Sequence, residues 1–291
     1  MGRSGLVAGV PLILAVASAF SGCGSSGTKT TSYPVPANIL LTPASTASMD
    51  VGATLVFTAQ PQDFQKTSVT EPVSFFSSNP AVVTVAATGV ACAGTWDSIS
   101  SPQVCTPGSV GIAQITGSAQ GVSSPPTTVY VHQHIDSITV GPLPTQSNPS
   151  VPCVTKGNTF EYAAHAFSHG TGITSIDITS TVGQFNWQTA NISVVNLTAE
   201  INGSLFQSQV EAKAGLPGIS STFASVGGVN SVPFDFITCP VQSITLSVNG
   251  SSSNSLTLAQ GASETITAAV TDSLNNVITG IPLTWTSSDP T

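Results

Sequence analysis

Apolar and polar residues alternate along much of this chain with a period of two. Thr54-Leu55-Val56-Phe57-Thr58-Ala59 reads as a strand with one buried face, and Ile39-Leu40-Leu41-Thr42-Pro43 as a strand ended by a proline. Asp50-Val51-Gly52, lying between them, reads as a turn. Val110-Gly111-Ile112-Ala113-Gln114-Ile115-Thr116 and Thr127-Thr128-Val129-Tyr130-Val131 predict two more strands. Proline and glycine punctuate the gaps, and no window sustains a 3.6-residue period, so the pattern predicts strands throughout.

One phrase organises the rest. Phe75-Phe76-Ser77-Ser78-Asn79-Pro80-Ala81-Val82-Val83-Thr84-Val85 reads as an aromatic-bearing strand, a Ser/Asn/Pro turn and a β-branched strand. It returns altered as Trp187-Gln188-Thr189-Ala190-Asn191-Ile192-Ser193-Val194-Val195-Asn196-Leu197, without the Asn-Pro pair, and begins again as Trp285-Thr286-Ser287-Ser288-Asp289-Pro290. Ile135-Asp136-Ser137-Ile138-Thr139-Val140 and Val241-Gln242-Ser243-Ile244-Thr245-Leu246 restart the module, and Gly52, Gly157 and Gly261 are 105 and 104 residues apart. A unit copied at a fixed interval is a tandem repeat. An interval near 100 residues with about seven short strands predicts an all-β chain of tandem immunoglobulin-like β-sandwiches. The expected modules are residues 35–133, 134–240 and 241–291, the last with only its N-terminal part. That leads to the expectation of a longer protein, since half a sandwich leaves sheet edges open.

These phrases resemble the bacterial immunoglobulin-like repeat families, group 2 most closely. In the third module the resemblance is carried by Thr265-Ile266-Thr267-Ala268-Ala269-Val270-Thr271-Asp272, Asn275-Asn276 and Leu283-Thr284-Trp285-Thr286-Ser287-Ser288-Asp289, which also suit the related invasin-type group. The resemblance implies a sandwich fold and a place among adhesin stalks, surface-layer parts or spacers of secreted enzymes. It names no ligand.

The amino terminus supplies an address. Arg3 precedes an apolar run from Leu6 to Phe20 that is too short to span a bilayer and has the make-up of a signal peptide over residues 1–23. Phe20-Ser21-Gly22-Cys23 resembles the bacterial lipobox, departing from it at Phe20, where an aliphatic residue is usual. The resemblance implies a lipid on Cys23 and a membrane as partner, and Gly24 after the Cys suits outer-membrane sorting. Residues 24–34 read as a tether. The competing reading is cleavage after Ala19.

Composition narrows the function classes. Only 6% of residues are charged, and 13 acidic against 5 basic residues give a net charge of −8. No basic surface is available to neutralise phosphates, which argues against nucleic acid as a partner. An extracellular protein or polysaccharide remains as the expected partner class. Beyond Cys23 the cysteines are Cys92, Cys105, Cys153 and Cys239, which allow three pairings. Proximity favours Cys92–Cys105 and, by subtraction, Cys153–Cys239, in an exported chain where such bonds persist. Four unpaired buried thiols are the alternative.

Candidate chemistry is sparse. His132/His134 and His165/His169 have spacings that could serve a transition metal, but no carboxylate or cysteine is evidently placed to complete a site. No Gly-x-Ser-x-Gly lies between strand and helix, and the acids look scattered, so no catalytic set and no cofactor is expected. Asp63 and Asp272 occupy comparable loop positions where Asp fixes a turn. Asn191, Asn196, Asn202 and Asn249 fit the glycosylation pattern but read better as polar β-surface. The loop bounded by Cys92 and Cys105 carries Trp96 and Asp97. These two residues either present a platform to a sugar or protein, or Trp96 seals its own disulfide.

Overall fold

The computed structural model describes residues 35–97, 99, 103–143, 153–169, 174–199, 208–251 and 255–289. The signal sequence, the tether, Cys23 and Asn202 lie outside these residues. Every regular element among them is a β-strand. The first sandwich begins with β1 (Asn38–Thr42), β2 (Thr46–Asp50), β3 (Thr54–Val56), β4 (Thr58–Gln62), β5 (Ser74–Ser77), β6 (Thr84–Val85) and β7 (Val90–Cys92). A hairpin, β8 (Gly94–Trp96) and β9 (Cys105–Pro107), precedes β10 (Gly111–Ala119), β11 (Val122–Ser123) and β12 (Thr127–His132).

One layer is built from two small sheets, β1 on β4 and β3 on β7, the latter also pairing with β6. The other runs β11–β10–β12–β2, with β5 also on β10. Leu41, Phe57 and Ala91 from the first layer meet Met49, Ile115, Val129 and Val131 from the second in a single core cluster. Each face is thereby removed from water by the other.

The run expected as one strand over Thr54–Ala59 is two. The break falls at Phe57, whose side chain is 1% exposed and whose N–H donates to the Gly89 carbonyl. There the backbone leaves its register with β7 and takes up the one with β1. Strand β2 was not predicted. It pairs in parallel with β12, and only Met49 in it is buried, so it lacks the alternation that announces a strand.

The second sandwich repeats the plan. Its strands are β13 (Ser137–Pro142), β14 (Thr159–Ser168), β15 (Ile176–Asp177), β16 (Asn186–Thr189), β17 (Val195–Ala199), β18 (Gln209–Ala214), β19 (Gly218–Val226), β20 (Val229–Asn230) and β21 (Phe234–Thr238). They form a β13–β14–β18–β17 sheet, with β15 on β14, and a second sheet of β16, β19, β20 and β21. Strands β10 and β19 bury the same alternate positions, residue for residue. Ser124 accepts from Gly117 N as Ser231 accepts from Ala224 N, so a hydroxyl closes both hairpins that follow. The turn of the repeated phrase survives without its proline. Val194 N and Val195 N donate to the Asn191 carbonyl as Val82 N and Val83 N do to that of Asn79. Asn191 Oδ1 accepts from Ser193 N, a turn role rather than idle surface.

The third sandwich contributes β22 (Val241–Val248), β23 (Ile266–Asp272) and β24 (Val277–Ile278) in one sheet. Ile244, Leu246, Ile266 and Trp285 are each about half exposed there.

Cys92 is bonded to Cys105 and Cys153 to Cys239, over separations of 13 and 86 residues. Loop closure restricts the unfolded chain by about 3 kcal/mol for the shorter and about 4.5 kcal/mol for the longer. In urea unfolding, Cys153→Ala/Cys239→Ala is expected to lose more stability than Cys92→Ala/Cys105→Ala. The reverse order would show that loop entropy does not govern these bonds.

Candidate functional site

The Cys92–Cys105 loop is a two-stranded insertion between β7 and β10; in the second sandwich β18 runs almost directly into β19. Trp96 lies opposite Cys105 in its ladder. The indole is half-buried, and its Nε1 is enclosed with no hydrogen-bond partner among the described residues. Asp97 turns inward on its own loop, its carboxylate accepting from Ile99 N and its N–H donating to the Val104 carbonyl. Ile99 and Val104 are the outward apolar groups, at 93% and 55% exposure.

Each histidine finds an acid, contrary to the expectation of scattered carboxylates. His134 Nδ1 lies 2.6 Å from Asp50 Oδ2, and His132 Nδ1 lies 3.4 Å from Asp50 Oδ1. His165 pairs with Asp177 and His169 with Asp136. Asp50 was missed because it stands on β2, the strand without a sequence signal. No group of three or more His, Cys, Asp or Glu among the described residues is arranged to hold a metal ion.

The Asp50 cluster sits where the first two sandwiches meet. Ser48 Oγ is 2.6 Å from His132 Nε2 and donates to the Val182 carbonyl of the second sandwich at 2.8 Å. His132 Nδ1 also lies 2.7 Å from the Gln133 carbonyl. A polar cleft of about 390 Å³ opens beside Ser48, walled by Gln184, Phe185 and the Gly227–Gly228 turn.

Ser48, His132 and Asp50 thus stand in the order of a Ser–His–Asp triad, which the sequence did not announce. Their geometry is that of a joint. The Ser48 hydrogen is directed at a carbonyl, the His132 ring is fully buried, and Asp50 makes its short contact to His134. The neutral His132 ring carries a single N–H: on Nδ1 it serves the Gln133 carbonyl and Nε2 can only accept, whereas on Nε2 it serves the Ser48 oxygen and leaves the Ser48 hydrogen for the Val182 carbonyl. Close apposition completes the joint. Gly183 has φ +84°, and a Cβ there would lie 2.5 Å from the ring of Tyr130 in the first sandwich.

A second joint links the second and third sandwiches. Lys156 Nζ donates to the Thr279 carbonyl at 2.6 Å, Asn276 Nδ2 to Thr155 Oγ1 at 2.8 Å, and Ser273 N to the Pro240 carbonyl at 3.0 Å. Asp272 is fully buried here. Burial would raise its carboxyl, but the Thr155 hydroxyl and the N–H groups of Asn276 and Leu274 hold it below the usual range. Asn249 lies at a turn and donates to Glu264, while Asn196 lies in β17.

A scan of protein families finds no match, and a search of curated proteins finds none. Among solved structures the chain is similar to the S-layer protein rSbsC, at 17% identity over 84% of this chain and 32% of that one, with a TM-score of 0.28. It is similar to the Yersinia pseudotuberculosis adhesin InvE at 16% identity over 70% of this chain and 58% of that one, TM-score 0.28. Extracellular cadherin domains 1–5 of protocadherin gamma B2 are similar at 10% identity over 70% and 40%, TM-score 0.26. The chain spans about a third of the length of the S-layer protein it matches. The fold assignment rests on the strand pairing and cores above.

Burial pushes the His132 imidazole below its usual range, against the Gln133 carbonyl and Asp50, which favour the charged ring. Above about pH 6.5 the ring is neutral in folded and unfolded chains alike. As pH falls through that value the unfolded chain takes up the proton first, so stability is lost until the lowered folded value is passed. His134 works in the opposite sense, its hydrogen bond to Asp50 raising it, but it is 70% exposed and counts for less. Denaturation at pH 7.5 and pH 5 is expected to show an acid decline that His132→Gln flattens; an unchanged slope would remove His132 as its source. Gly183→Ala is expected to cost about 1–3 kcal/mol through its φ and the Tyr130 contact. A variant as stable as the parent would show that the joint yields freely.

Proposed function

We propose that this is a non-catalytic lipoprotein of the cell surface, anchored through a lipid on Cys23, whose immunoglobulin-like sandwiches serve as a structural or adhesive stalk. One observation carries the reading: successive sandwiches are bolted together. Four residues, Gln133–Asp136, separate β12 from β13, and only Cys239 and Pro240 separate β21 from β22. Hydrogen bonds cross both joints. A chain that holds something at a distance requires stiff joints, whereas independent binding modules do better on free linkers. The hairpin with Trp96 and Asp97 is the candidate contact for an extracellular protein or polysaccharide, because loops on rigid sandwiches carry binding.

Two measurements test this. Intact mass of the protein taken from its own membranes is expected to show acyl chains on Cys23; cleavage after Ala19 without lipid removes the anchor. Spin labels placed by unnatural amino acids at exposed Ile112 and Ile219 are expected to give one narrow distance distribution. A broad one would mean that the sandwiches swing independently and would remove the stalk.

A further inference from the structure

The turn that locks the third sandwich onto the second recurs, bare, on the first. In the third sandwich Asp272 Oδ1 accepts from Leu274 N and Asn276 N, Asp272 N donates to the Asn276 carbonyl, and Asn275 has φ +63°. In the first, Asp63 Oδ1 accepts from Gln65 N and Thr67 N, Asp63 N donates to the Thr67 carbonyl, and Lys66 has φ +63°. The two turns are the same object in the same place, the end at which the chain enters its sandwich. Their surroundings differ. Asp272 is fully buried, and its turn reaches the preceding sandwich through Ser273 N to the Pro240 carbonyl and Asn276 Nδ2 to Thr155 Oγ1, whereas Phe64 of the Asp63 turn is 86% exposed and residues 64–68 all face outward.

The chain enters beside the bare turn. Ala37 N donates to the Gln62 carbonyl at 2.7 Å, next to Asp63, and Val35 is 54% exposed at the same end. Eleven residues, 24–34, lie between Cys23 and Val35. Even fully extended, that length of chain spans at most about 40 Å. A lipid on Cys23 would thus keep its membrane within that reach of the end that bears the Phe64 turn. We propose that the Phe64 turn is a lipid-docking surface, seating the first sandwich on the membrane to which Cys23 is anchored. The inference rests on the lipid-anchored reading above.

The chemistry of the turn fits an interface between water and lipid. Phe64 supplies an aromatic ring, and Lys66, two residues on, supplies a long stem with a cation for headgroup phosphates. The adjacent carboxylate of Asp63 is taken up by N–H groups of its own turn. A single ring is a weak ligand for a membrane when free in solution. With the anchor already in place the contact is intramolecular, so a weak contact suffices to fix orientation.

The test uses the full-length lipidated protein carrying Phe64→Trp in vesicles of phosphatidylethanolamine and phosphatidylglycerol. A fraction of phosphatidylcholine with a shallow spin label serves as quencher. The difference from the parent isolates the introduced indole from Trp96, Trp187 and Trp285, and intact mass is taken on the same sample. The expected result is acylated protein in which the difference emission shifts to shorter wavelength and is quenched by the labelled lipid. Acylated protein with unquenched, water-like difference emission overturns the docking surface and leaves the anchor standing. A blue shift that grows with protein concentration and ignores the quencher shows a second copy on the turn, and also overturns it. Protein without lipid removes the anchored reading and this proposal with it.

Discussion

The structure depends on closing strand edges by hydrogen bonding, because charge is scarcely available to guard them. Soluble β-proteins commonly protect an edge with lysine or with an inward-pointing charge; here 6% of residues are charged. The chain instead divides single runs of strand between two sheets. Near Pro43 it passes from β1, on one sheet, to β2, on the other, so that both sheets receive a strand from the same short segment. At Phe57 a second run leaves one partner for another. Hydroxyls and amides then take the backbone groups that the ladders miss, as Ser124, Ser231 and Asn191 do.

The legible parts of this fold were those in which burial and sequence pattern coincide. β10 hides every second residue, and the alternation over Val110–Thr116 was visible, whereas β19, with the same burial, was not read. The repeat itself survived because the turn after β5 and β16 is closed on an Asn carbonyl, which both copies retain. β2 could not be read. Its place is secured by backbone pairing to β12, and Thr46, Ala47 and Ser48 bear no mark of a strand. The site suffered in consequence, since Ser48 and Asp50 both stand on β2 while His132 lies 82 residues beyond Asp50 in the chain. The turns at Asp63 and Asp272, by contrast, were legible from spacing alone, because a short carboxylate binding its own backbone is a local device.

The two joints use different chemistry for one task. The first brings a hydroxyl, an imidazole and a tight glycine contact together; the second uses a lysine, an asparagine and a buried carboxylate. Tandem sandwiches need not share an interface sequence, only a way to satisfy the polar groups that their apposition removes from water. The repeat is thus conspicuous in the strands and almost invisible between them.

The Cys153–Cys239 bond has a mechanical meaning. A pull along the chain reaches the second sandwich at β13 and leaves it after β21, and from Cys153 to Cys239 the bond offers a covalent short cut past 86 residues. At about 3.5 Å per extended residue, roughly 300 Å of chain is thereby withheld from stretching. The bond in the first sandwich shields only 13 residues. Under load the first sandwich can spool out over most of its length, while in the second only the stretch that precedes Cys153 can lengthen.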